Sequence, residues 1–162
     1  MNVIRLDSIE TQSLTSVLDA YGLELVEIRV RDPIPGSYWG EPEAGLITGR
    51  LYARPDTPLH SALHETAHYA CMSPRRRARL HADAGGSALE EVAVCFLSVL
   101  LADEIPGFGR RRMLRDMDSW GYGFRLGAAE RWFEDDADDA RRWLLGHGLV
   151  TGEPSPTWRL RR

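Results

Sequence analysis

The first apolar repeat along the chain has a helical period. Ile9, Leu14, Val17, Leu18 and Tyr21 recur at near-helical spacing and Gly22 follows as a stop, which predicts a helix from Ser8 to about Ala20. From Leu23 to Arg31 the period shortens to two. Ile28 and Val30 alternate there with Arg29 and Arg31, as in a half-buried strand. Residues 32–45 hold three prolines and three glycines and read as a loop or irregular hairpin, and Leu46 to Ala53 reads as a second strand. Pro58 opens a helix predicted to reach about Met72, because proline suits a first helical turn. Ser73-Pro74 ends it, since the residue before proline resists helical geometry. A polar segment containing Gly85-Gly86 leads to the most apolar helix, Ser87 to about Asp103, which Pro106-Gly107 breaks. Two more helices are expected near Arg110 to Asp118 and Leu126 to Leu145, the last capped by Gly146. One domain over residues 1–150 and an irregular tail over 151–162, with Pro154 and Pro156, complete the expected layout.

Composition narrows this picture only slightly. A chain of 162 residues with 43% hydrophobic content supports one sizeable core. No apolar run approaches the roughly 20 residues of a membrane span, so no membrane partner is expected. The opening MNVIRLDSIETQ lacks the apolar core of a secretory signal, and the expected location is cytoplasmic. Two cysteines, Cys71 and Cys95, argue against a disulfide framework. All twenty basic residues are arginines, clustered at Arg75-Arg76-Arg77 and Arg110-Arg111-Arg112. The net charge of −4 and the acidic run from Glu134 to Asp139 weigh against nucleic acid as a partner.

The predicted Pro58–Met72 helix carries His64-Glu65-Thr66-Ala67-His68, an HExxH pattern. Residues four apart share a helix face, so His64 and His68 can offer two imidazole nitrogens to one metal ion. Glu65 lies about 100° round the helix, close to that ion without binding it. This division of labour suits a zinc hydrolase, in which the metal lowers the pKa of a bound water and the glutamate takes its proton as general base. A shuffled chain of this composition would contain the pattern about once in a hundred.

A catalytic zinc needs a third protein ligand. The HExxHxxGxxH variant is excluded, because Cys71 and Pro74 stand where glycine and histidine would be required. His81 lies on a connector and reads as a surface residue, and Cys71 reads as a buried apolar thiol. Stronger candidates open the apolar helix, at Glu90 or Glu91. Ser87-Ala-Leu-Glu90 also matches a capping box, and spacing alone does not choose between the two glutamates. His60, one turn before His64, is open to two readings, a support for a metal ligand or a surface histidine. Tyr122, within Trp120-Gly-Tyr-Gly-Phe124, is a candidate oxyanion donor or a packed turn aromatic.

HETAH followed by Glu90-Glu-Val-Ala-Val-Cys-Phe-Leu-Ser-Val-Leu-Leu101 resembles the gluzincin branch of the zincin superfamily, over roughly His60 to Asp103. The second segment is similar to the glutamate helix of ImmA/IrrE-type peptidases, E-x-x-A-[ND]-x-F-A-x-x-L-L. Laid onto this chain, that pattern implies Glu90 as the third ligand, with Ala93, Phe96 and Leu100-Leu101 at the matching positions. Val94 stands where the family has Asn or Asp supporting a zinc-binding histidine, Leu97 replaces a small alanine, and Ala102-Asp103 follows where the peptidases often have Met-Pro. The layout is also similar to the peptidase-like domain of ArdC-type antirestriction proteins. The resemblance implies an α+β, zincin-like fold, a small twisted sheet packed on the HExxH helix and a following glutamate helix. It implies a zinc metallopeptidase in which Glu65 activates a zinc-bound water, His64, His68 and Glu90 hold Zn2+, and the substrate is a peptide or protein. The edge strand would align that substrate, with Leu46 to Ala53 as the candidate. The alternative is a zincin-fold regulatory or antirestriction module with little or no turnover.

Overall fold

The computed structural model of the chain, which describes residues 2–162, realises the first helical repeat. The strand expected over Leu23–Arg31 ends at Glu27, where the chain turns out: Val30 is 59% exposed and Arg31 takes the left-handed region (φ 81°). After a single 3-10 turn at Leu6–Ser8 come helix α1 (Thr11–Ala20) and strand β1 (Glu24–Glu27). Strands β2 (Gly45–Ile47) and β3 (Arg50–Ala53) follow the loop, then α2 (Leu59–Cys71), the short α3 (Pro74–Ala78) and α4 (Ala88–Ala102). Helices α5 (Gly109–Trp120), α6 (Ala129–Asp135) and α7 (Asp138–Gly146) complete an α+β fold.

The segment expected as one strand from Leu46 to Ala53 is a hairpin. Thr48 adopts the left-handed region (φ 47°), which lets β2 turn back on β3 across Thr48-Gly49. The sheet order is β1-β3-β2, with β1 parallel to β3 and Leu51 opposite both Leu25 and Leu46. β3 is therefore the central strand and cannot align a substrate. The edge, β2, is partly covered by the connector after α3. Thr48 N donates to Leu80 O (3.0 Å) and Ala82 N to Leu46 O (2.9 Å).

α2 begins at Pro58 and ends as expected. Ser73, ahead of Pro74, is extended (ψ 152°), and its Oγ accepts from Arg76 N to start α3. The helix expected over Leu126–Leu145 divides into α6 and α7. Asp136 turns its carboxylate onto Arg125 (Nε to Oδ2, 2.8 Å), and Ala137 enters the core between the two helices.

α4 is the centre of the core. Ala93, Val94, Leu97, Val99 and Leu101 are fully buried, and the helix packs on α2, α5 and α7. β3 lies against α2, so the sheet and α4 hold the HExxH helix between them. The tail beyond Val150 has no helix or strand but is anchored. Trp158 packs on Tyr21 at 5.5 Å, Arg161 N donates to Ala70 O (2.8 Å), and Arg161 Nη1 reaches Glu90 Oε1 (2.9 Å). Among the described residues, no helix is long and apolar enough to cross a membrane.

Candidate metal centre

The i,i+4 spacing on α2 turns the His64 and His68 rings toward one another, with centroids 4.7 Å apart at 86°. α4 crosses above them and lowers one carboxylate between the two rings. That carboxylate is Glu91. Its Oε1 lies 3.1 Å from His64 Nε2 and its Oε2 lies 3.1 Å from His68 Nε2. His64, Glu65 and His68 also bring ligand atoms together closely enough to hold a metal ion, as do His64, Glu91 and Cys95.

Glu90, the expected third ligand, is elsewhere. Its side chain is 3% exposed and faces away from the histidines, accepting from Arg76 Nη1 (3.0 Å), Arg76 Nη2 and Arg161 Nη1 (2.9 Å). Helical rotation is the reason. Glu90 shares its stripe with the core residues Ala93, Val94, Leu97 and Leu101, whereas Glu91, 100° further round, shares the cleft face with Cys95. Gly86 makes room for the buried carboxylate, because a Cβ there would collide with Glu90. The capping box is half formed. Ser87 Oγ accepts from Glu90 N (3.1 Å), but the Glu90 carboxylate belongs to the arginines.

The donor set suits a divalent ion. Two imidazoles and a carboxylate are zinc-type ligands, and the two histidine–Glu91 separations of 3.1 Å are close to the about 3.3 Å between neighbouring ligand atoms of a tetrahedral site with bonds of about 2.0–2.1 Å. The Glu91 side chain is 51% exposed, so the site opens to solvent on that side. The nitrogens away from the cluster are supported unequally. Cys95 Sγ lies 4.0 Å from His64 Nδ1, and His68 Nδ1 is buried without a partner. Burial opposes charge on His64, but Tyr122, Cys95 and Glu91 outweigh it and raise its pKa. Burial likewise opposes charge on Glu91, and the two histidines outweigh it, holding its carboxyl well below the usual range. Glu65 takes no ion pair among the described residues, and burial raises its pKa against the pull of His68 and His64.

Tyr122 stands over the cluster, its ring 5.7 Å from that of His64. Its hydroxyl is 3.4 Å from His60 Nδ1, so His60 is a buried neighbour of Tyr122 and neither a surface residue nor a ligand. His81 is exposed and bridges to Ile47, and Cys71 is buried outside both ligand groups. Sequence reasoning missed Cys95 beside His64, whereas the Tyr38–Glu41 loop is a candidate cleft lining from the sequence alone. Trp39, 79% exposed, borders both cavities that meet at the cluster.

Burial pushes His60 down to about 3, with His64 and Arg5 adding to the effect. An unfolded chain binds that proton near pH 6.5, so this residue's contribution to stability is present above pH 6.5. It falls as the pH drops toward 3, by up to about 1.4 kcal/mol per unit. Urea denaturation at pH 7 and pH 5 is expected to show a loss about 2 kcal/mol greater for the wild type than for His60→Gln. Equal losses would mean that His60 charges freely in the folded state.

Comparison with protein-family models, curated proteins and solved structures gave no match.

Proposed function

We propose that this chain is a zinc-dependent hydrolase acting on peptide bonds, with His64, His68 and Glu91 holding the ion and Glu65 as general base. The observation that carries the reading is the Glu91 carboxylate set 3.1 Å from each Nε2 of an HExxH helix, beside a glutamate, Glu65, that takes no ion pair among the described residues. A purely structural ion would not need that free carboxylate. Zinc, when bound, supplies a Lewis acid and a water of lowered pKa. Burial raises the Glu65 pKa above that of an exposed glutamate, the direction that suits a base that must take a proton and return it. The Tyr122 hydroxyl is a candidate donor to the oxyanion of a tetrahedral intermediate, held in place by His60.

The HExxH and double-glutamate resemblance to gluzincins supports the same reading, although moving the second motif by one residue to begin at Glu91 replaces its matches at Ala93, Phe96 and Leu100-Leu101 with Val94, Leu97 and Leu101-Ala102. Counted from Glu91, the fifth position of E-x-x-A-[ND] is Cys95, which touches His64 where the family uses Asn or Asp as a support. Zinc-loaded protein is expected to cleave an unstructured protein such as reduced, alkylated casein. A chelator should stop cleavage and added zinc should restore it. Undiminished cleavage in the metal-free protein, or none with one equivalent of zinc bound, would contradict the proposal.

A further inference from the structure

Two cavities meet at the cluster. One, of about 410 Å3, runs from Glu65 and His64 to Trp39, Glu43, Trp120 and Tyr122. The other, of about 400 Å3, lies between Tyr38, Trp39 and residues 82–88. The chain has twenty arginines, yet none borders either cavity. The acids on their walls are Glu43, Glu65, Asp83 and Glu91. Three of these have a role already: Glu91 faces the histidines, Glu65 is the base, and Asp83 Oδ1 accepts from Gly85 N (2.9 Å).

Glu43 remains. Trp120 Nε1 donates to its Oε1 at 2.7 Å, fixing the carboxylate, and Oε2 takes no hydrogen bond among the described residues. The Trp120 ring is already occupied, with Arg5 at 5.8 Å and His60 at 5.3 Å, so Trp120 offers the subsite only its N–H. The aromatic surface still free is Trp39, steadied by Tyr38 edge-on at 5.0 Å. Glu43 and Trp39 border the same cavity, and a fixed carboxylate sharing a cavity with a bare indole is an arrangement that receives a cation. Ion pairing and attraction to the ring face act together, while a neutral side chain there would desolvate the carboxylate unpaired.

We propose that Glu43 and Trp39 form a subsite for a cationic side chain, arginine or lysine, adjacent to the scissile bond of the substrate. This rests on the hydrolase reading for the scissile bond, but binding tests it without turnover. The probe is a blocked alanine heptapeptide with arginine at one of the three central positions, compared with its citrulline twin, which keeps the shape and loses the charge. Zinc-loaded Glu65→Gln protein is expected to bind the arginine peptide about tenfold more tightly at one position. Adding Glu43→Gln keeps an acceptor for Trp120 and should bring the ratio to within about twofold, and Trp39→Ala should lower it also. Equal affinities for the twins, no binding of the arginine peptide, or a preference that survives Glu43→Gln would each overturn the subsite. Cleavage by the wild type reports separately on the hydrolase reading. Turnover without charge preference removes the subsite alone, and charge-selective binding without turnover removes the hydrolase, with the scissile bond, and leaves the cation-binding pair.

Discussion

Glu65→Gln is expected to keep its zinc and its melting temperature and to lose peptide hydrolysis by about 10^2–10^4-fold. The amide has nearly the shape of the carboxylate, so the packing of α2 barely changes. What it lacks is a lone pair basic enough to take a proton. Glu65 is not engaged in any ion pair among the described residues, and burial makes it a stronger base than a surface glutamate. Its removal should therefore lower kcat far more than it raises KM. Retained hydrolysis in Glu65→Gln would mean that another group is the base. Lost zinc would mean that Glu65 is a ligand.

Glu90→Gln is also expected to keep its zinc, but to weaken the fold. Glu90 is buried, and two guanidiniums converge on it from α3 and from the tail. Arg76 also donates to Ala84 O (3.2 Å), so the clamp ties α4, the glycine connector and the C-terminal tail together. A neutral amide there leaves two cations facing a group that must point an N–H at one of them. Breaking a buried pair costs about 3–5 kcal/mol, and the partial exposure of both arginines reduces this to about 2–3 kcal/mol. For a chain of this length the melting temperature should fall by roughly 5–10 °C. An unchanged melting temperature would mean that the clamp contributes nothing.

These two glutamates mark how far the sequence could be read. Local signals sufficed where one element decides the outcome. The Pro58 and Ser73-Pro74 boundaries of α2 and the facing of His64 and His68 all follow from helix geometry. The position of Glu90 is fixed by Arg76 and by Arg161, 71 residues away, partners that the spacing of the two motifs does not reveal. A signal was nevertheless present, because Glu90 shares its helical stripe with Val94, Leu97 and Leu101, while Glu91 shares its stripe with Cys95. The Leu46–Ala53 segment was misread for a related reason, since apolar residues continue on both sides of the Thr48-Gly49 reversal. The break at Asp136 coincides with its ion pair to Arg125, a residue outside both helices.

The most direct test of the site is metal content by elemental analysis after zinc reconstitution and gel filtration. Wild type and Glu90→Gln should each carry close to one equivalent, and His68→Ala and Glu91→Ala should carry little. Zinc lost from Glu90→Gln but kept by Glu91→Ala, or absent from the wild type, would contradict this account of the centre.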